Sequence, residues 1–194
     1  MPRYVAFLRA INVGGHVVRM STLRQVFTSI GFSRVETFIA SGNVVFETSS
    51  RAAAKYERQI ETWLRKALGY EVATFLRTDE EVAAVAKYRP FGEKAIQNAR
   101  AYCVGFVAKP LGREAEKIVK GFKSDMDDFH VNGREVYWLC KVGQGESKFS
   151  NAVLEKRLGL RATFRGMNTI RRLAAKYPAS GGGDSRLDSR SNER

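Results

Sequence analysis

Long apolar runs are missing from this sequence, and so are most of the residues that metal centres need. No stretch reaches the roughly 18 consecutive apolar residues that span a bilayer, so no membrane helix is expected. The N-terminus enters a strand-like run at once, without the charged segment, apolar core and small-residue site of a secretory signal. The two histidines, His16 and His130, lie far apart with no ligand spacing around them. No metal and no cofactor are expected on that ground. Cysteine is limited to Cys103 and Cys140, each in an apolar strand-like stretch. They read as buried free thiols of a reducing compartment, which places the chain in the cytoplasm; a disulfide between them stays open.

Negative charge is also scarce. Against 33 lysines and arginines stand 20 acidic residues, a formal net charge of +13. The last fifteen residues balance to zero, so the excess belongs to the rest of the chain. Such a charge gathers polyanions, and it also serves plain solubility. The hydrophobic share of 44% over 194 residues suffices for one medium or two small cores.

Periodicity supplies the elements. Tyr4–Arg9 reads as a strand, and Ser21 as the N-cap of a helix closed by Gly31. Val35–Ala40 and Val44–Glu47 read as a hairpin around Ser41-Gly42-Asn43, followed by a helix ending at Gly69 and a strand at Val72–Arg77. A further helix is expected over Asp79–Lys87. The order then recurs: strand Tyr102–Val107, helix Arg113–Phe122, hairpin Phe129–Val131 with Glu135–Leu139, helix Ser147–Leu158, strand Arg161–Arg165 and helix Asn168–Lys176. Matches at near-constant offset support a duplication: Leu64 and Gly69 with Leu154 and Gly159, Ala73-Thr74-Phe75 with Ala162-Thr163-Phe164, and Phe38, Gly42 and Val45 with Phe129, Gly133 and Val136. The expected fold is therefore α+β, two tandem ferredoxin-like βαββαβ pseudo-repeats at 1–87 and 100–178, each with an extra helix. A connector falls at 88–99 and a disordered tail at 179–194. The strands Tyr4–Leu8 and Val44–Phe46 are apolar at consecutive positions, as in sheets covered on both faces.

Chemistry is thinly marked. Arg9, Asn12, Gly14 and Gly15 lie on a strand-to-helix loop, where glycines let a ligand approach the backbone and the helix start offers N–H groups. The spacing is not that of a dinucleotide fingerprint. Gly143-Gln144-Gly145-Glu146-Ser147-Lys148 has the wrong spacing for a P-loop, but Ser147 and Lys148 suit a bare anion site. Arg165, with Thr163 on its face, and Asn168 complete the candidate set. Each of these also suits an ordinary cap or packed loop. Arg113, Lys117 and Lys120 form a basic helix stripe that fits phosphates or solvent. Asp125, Asp127 and Asp128 lack the glycine and distal glutamate of a calcium loop.

The segments Phe7–Gly15, Ser41–Phe46, Gly143–Lys148 and Ala162–Arg165 with Asn168-Thr169 together resemble the domain of unknown function 1697 family, an uncharacterised bacterial family. The resemblance runs from Met1 to Lys176. It implies a duplicated ferredoxin-like fold and no established activity. It departs at Ala10, where the family usually has Gly, and at Gly166 and Met167, where it usually has Asn and Trp.

Three functions fit. The first is a cytoplasmic protein binding an anion, nucleic acid or a phosphorylated small molecule, through Arg9, Asn12, Gly14, Gly15, Ser147, Lys148, Arg165 and Asn168. The second is an enzyme on a phosphorylated or acidic metabolite, with His16 or Asn43 near the chemistry. The third is an interaction module, monomer or homodimer, pairing through sheet edges.

Overall fold

The computed structural model describes residues 1–12, 15 and 17–179; the expected tail, along with Gly14 and His16, lies outside the described residues but for Ala179. Its elements are β1 (Arg3–Leu8), α1 (Met20–Ser29), β2 (Ser33–Thr37), β3 (Asn43–Glu47), α2 (Ala53–Leu68), β4 (Thr74–Thr78), α3 (Asp79–Lys87), α4 (Glu93–Gln97), β5 (Ala101–Val107), α5 (Arg113–Lys120), β6 (Asp127–Asn132), β7 (Glu135–Cys140), α6 (Asn151–Leu158), β8 (Ala162–Gly166) and α7 (Met167–Lys176). This is an α+β protein with two four-stranded antiparallel sheets, ordered β2-β3-β1-β4 and β6-β7-β5-β8. Among the described residues, no helix is long and apolar enough to cross a membrane.

The consecutive apolar strands have the cause expected of them. On β1, Tyr4, Ala6 and Leu8 turn to α1 and α2 and pack with Leu23, Phe27, Ile60 and Leu64. Val5 and Phe7 turn the other way, into a second core shared with Val104, Phe106 and Tyr137 of the other sheet and with the helices α3 and α7. A third core lies under α5 and α6. The two sheets thus cover each other's second face. At the centre, the rings of Phe7 and Phe106 stack at 4.1 Å, nearly parallel.

Caps explain several boundaries. Gly69 and Gly159 end α2 and α6 in the left-handed region, at φ 81° and 63°, where a side chain is disfavoured. Thr78 starts α3 with a reciprocal capping box to Glu81. Two expected starts are displaced. Ser21 lies inside α1, whose N-cap is Arg19. Ser147 lies before α6, which begins at Asn151 behind Ser150, whose hydroxyl accepts from the Val153 N–H. The Ser147 hydroxyl instead donates to the buried carboxylate of Asp127, at 2.8 Å. The first strand of the β2–β3 hairpin also stops early, at Thr37, and the chain turns through Ile39 at φ 50° before β3. The expected turn at Asp125–Asp128 is partly strand, since Asp127 and Asp128 open β6.

Candidate functional site

Two buried arginines hold the sheets together, and they are built alike. Arg77 of β4 lies opposite Val5 of β1; Arg165 of β8 lies opposite Val104 of β5. Each reaches across to the other sheet. The Arg77 Nε donates to Glu135 Oε1 at 2.6 Å, its Nη2 to the carbonyls of Val107 and Arg134, and its Nη1 to that of Leu76. The Arg165 Nε donates to Asn43 Oδ1 at 2.7 Å, its Nη2 to the carbonyls of Leu8 and, at the limit, Gly42, and its Nη1 to that of Phe164 and the Thr163 hydroxyl. Arg77 sits over the Phe106 ring and Arg165 over the Phe7 ring, at 5.2 and 5.9 Å. Even the acceptors match: Asn43 faces Phe7 across β1, and Glu135 faces Phe106 across β5.

The difference is a charge. Glu135 neutralises Arg77; Asn43 satisfies a donor of Arg165 without neutralising it. Among the described residues Arg165 has no carboxylate partner, although it is only 9% exposed. Burial alone pushes its guanidinium down to about 10, still well above neutral pH. Burial lowers Arg77 too, and there the Glu135 charge opposes the shift. Moving an unpaired charge out of water costs several kcal/mol, roughly, unless something restores its counter-charge.

Arg165 borders a cleft of about 560 Å³, together with Arg9, Ile11, Ile39, Asn151, Phe164 and Thr169 among others. A cleft of about 580 Å³ also lies beside β4, lined by Glu57 and Glu61 among others, so the two differ in lining rather than in size. In the first sheet, β4 is an edge strand, and its outward N–H groups at Thr74 and Leu76 are met by Glu61 and Glu57 of α2, both at 2.9 Å. Helix α2 spans 16 residues and α6 only 8. The short helix reaches Ala162, whose N–H meets Glu155 and whose carbonyl meets the Asn151 amide. The ladder's alternation turns the next outward N–H, that of Phe164, to the same edge. There, no carboxylate among the described residues stands as Glu57 stands beside Leu76. Asn151 Oδ1 is buried with no hydrogen-bond partner.

The helix at the end of each edge strand repeats the contrast. Helix α3 carries Asp79, Glu80 and Glu81 in its first turn and a side-chain cap. Helix α7 starts at Gly166 with no side-chain cap and no acid in its first turn. Its N-terminal N–H groups and the positive end of its dipole lie at the cleft, where Thr169 lines the wall. Backbone strain gathers here as well: of the four non-glycine residues with positive φ among the described residues, Ala10 and Ile39 line the cleft and Asn12 adjoins it.

The eight candidate residues do not form one site. Arg9 and Arg165 line the cleft, and Asn168 is exposed in the first turn of α7 behind Thr169. Arg9 is already balanced, since its Nε and Nη2 both meet the Glu155 carboxylate at 2.7 Å. Burial tends to raise that carboxyl, but the Arg9 bonds, the Ala162 N–H and nearby Arg161 together hold it below its usual range. Asn12 braces its own loop, donating to the Ala40 carbonyl and accepting from the Val18 N–H. Gly15 is exposed at φ 88°, with open space around it, and Gly14 lies outside the described residues. Ser147 and Lys148 line a different cleft of about 390 Å³, beside Asp127. The Asp127 carboxylate is taken by the Trp138 indole N–H at 2.7 Å and by Ser147, which fastens this loop to the sheet. Cys103 and Cys140 are free and buried; burial pushes the Cys103 thiol up to about 11. Among the described residues no group of three or more His, Cys, Asp or Glu is placed to hold a metal ion.

Asn43, Asn151 and Ile39 were not among the candidates for anion binding. Asn43 could be found by aligning the halves, but the sequence matches shift it by one residue, onto Arg134 rather than Glu135. The hairpins cause the shift: β6 and β7 pair up to Asn132 and Glu135 around a two-residue turn, while β2 and β3 are joined by a longer loop.

The fold, with its pair of inter-sheet arginines, defines a class for which comparison supplies a family and no activity. A family model described as "Protein of unknown function (DUF1697)" matches residues 1–137, and the chain belongs to that family. The match ends within β7, so α6, β8 and α7 lie beyond it. Among solved structures, the chain is similar to the conserved bacterial protein SP0830 from Streptococcus pneumoniae, with a TM-score of 0.71, 23% identity, and coverage of 91% of this chain and 98% of that one. That likeness concerns the fold. No curated protein matches.

Proposed function

We propose that this chain is a duplicated ferredoxin-like protein of the cytoplasm that binds a small anionic ligand in the cleft beside β8, with Arg165 as its central cation. The duplication is supported by the shared strand order of the two sheets and by the matched settings of Arg77 and Arg165. Residence in the cytoplasm is supported by the two free thiols. The observation that carries the binding reading is the buried charge of Arg165, set against Asn43 where its counterpart has Glu135. An anion in the cleft supplies the missing charge, and the uncapped start of α7 supplies N–H donors.

Calorimetric titration with inorganic phosphate and with acetate, at fixed ionic strength, tests this. Saturable binding that disappears in Asn43→Asp is expected, because the new carboxylate neutralises Arg165 in place of the ligand. Anions that fail to bind, or that bind Asn43→Asp equally, remove Arg165 from the function.

A nucleic-acid reading rests on the net charge of +13 and on the exposed stripe Arg113, Lys117 and Lys120. Lys117 is already engaged by Glu114 at 2.8 Å. Labelled single-stranded DNA, duplex DNA and RNA titrated across a salt series separate the readings. Affinity that survives near physiological salt and falls log-linearly above it favours a polyanion partner. The enzyme reading has less support: the Asn43 side chain is spent on Arg165, Phe38 and Ser41.

A further inference from the structure

The wall of the cleft is not that of a site for a bare oxyanion. Leu8, Ala10, Ile11, Ile39 and Phe164 line it beside the polar groups. Ile39 is 40% exposed and is held outward by a backbone at φ 50°, an unfavourable conformation for a β-branched residue. An inorganic ion would leave this apolar surface wet and much of the volume of about 560 Å³ to solvent. The Phe164 edge N–H adds a neutral donor along the same wall.

We infer that the ligand is an amphiphilic anion, with a phosphoryl or carboxylate head at the start of α7 near Arg165 and an apolar body lying against Ile39 and Phe164. This rests on the anion-binding reading and goes further, since it names the chemistry of the rest of the ligand. The head balances the charge of Arg165. The body covers the apolar wall, and a hydrogen-bond acceptor on it meets the Phe164 N–H.

Four probes in calorimetry on the full chain, at fixed pH and ionic strength, decide it: inorganic phosphate, phenyl phosphate, benzoate and benzyl alcohol. Phenyl phosphate is expected to bind at least about tenfold more tightly than phosphate, as an apolar contact of this size provides. Benzoate measured against phenyl phosphate tells which head the site prefers. Ile39→Ser should weaken phenyl phosphate severalfold and leave phosphate unchanged. The residue is partly exposed, and the change relieves its backbone, so folding is preserved. Equal affinities for phosphate and phenyl phosphate, or an Ile39→Ser variant that loses both equally, overturn the amphiphilic ligand and leave anion binding standing. Benzyl alcohol binding as tightly as phenyl phosphate overturns it too, by removing the head. Failure of every anion overturns the underlying reading instead.

Discussion

Arg77 and Arg165 make nearly the same hydrogen bonds from nearly the same place, and differ in the charge of one acceptor. Around Arg77 the surroundings are acidic, and Arg77 lies outside the cleft of about 580 Å³ that Glu57 and Glu61 line beside β4. Glu135 pairs with it, Glu57 and Glu61 block the edge of β4, and α3 carries its own cap and three acids. Around Arg165 each of these is missing or weaker. Asn43 replaces the acid, α6 meets the edge at Ala162 but not at Phe164, and α7 starts bare. One side satisfies itself; the other has a polar deficit of one negative charge beside an open cleft. A hydrogen-bond count alone would rank the two arginines as equals, since both have their donors engaged. Charge balance separates them.

The largest expected effect tests whether balance matters at all. Glu135→Gln keeps an acceptor for Arg77 and removes the charge, in imitation of Asn43. Breaking a buried pair from one side costs on the order of 3 kcal/mol, or about 10 °C of melting temperature in a chain of this size. Thermal unfolding by circular dichroism at neutral pH measures it. A variant that melts with the wild type would mean that these sheets tolerate an unpaired arginine freely, and the contrast with Arg165 would lose its meaning.

The reverse substitution should act more gently and in the opposite direction. Asn43→Asp places a carboxylate where the amide oxygen already lies 2.7 Å from the Arg165 Nε. It loses the amide's donation to the Phe38 carbonyl, while the Ser41 hydroxyl, which accepts from the amide, turns to donate to the carboxylate. A charge-assisted bond gained against a neutral one lost leaves a net gain of about 1 kcal/mol, or about 2–4 °C. The ligand-free protein should become more stable while anion binding disappears. Stability and binding moving together would count against a functional charge deficit.

How much of this was legible in the sequence follows from which interactions are local. Helix α3 stands at the bounds expected, Asp79–Lys87, because its capping box and first-turn acids are encoded within a few residues. Gly69 and Gly159 close their helices as read, since a left-handed cap is a local demand too. Ser147 misled because its partner, Asp127, is twenty positions away in β6, and a distant buried carboxylate outcompeted a helix start. Arg9 and Arg165 were readable as basic groups at strand ends. The deficit at Arg165 was not, because it depends on Asn43 from the other half and on a strand register that the sequence offsets miss by one residue. In a strand that slip exchanges the faces.

The smallest expected effect sharpens the comparison from the other side of the cleft. Glu155 holds Arg9, and its carboxyl is kept below the usual range by Arg9 and the Ala162 N–H despite burial. A carboxyl whose pKa is lower folded than unfolded contributes stability that is complete above its unfolded value. That stability is lost as pH falls through the folded one. Glu155→Gln should therefore cost about 0.5–1 kcal/mol at neutral pH and progressively less on acidification, so that the two melting curves converge as the pH falls below the ordinary carboxylate range. The same change leaves Arg9 without its counter-ion on the cleft wall, which adds a second unbalanced cation beside Arg165. Phosphate should then bind more tightly to Glu155→Gln than to the wild type, while Asn43→Asp binds it less. Affinity ordered by the number of carboxylates paired with Arg9 and Arg165 ties the electrostatic deficit to binding. A Glu155→Gln variant that loses stability without gaining affinity would confine Arg9 to a structural role and leave Arg165 to account for the anion alone.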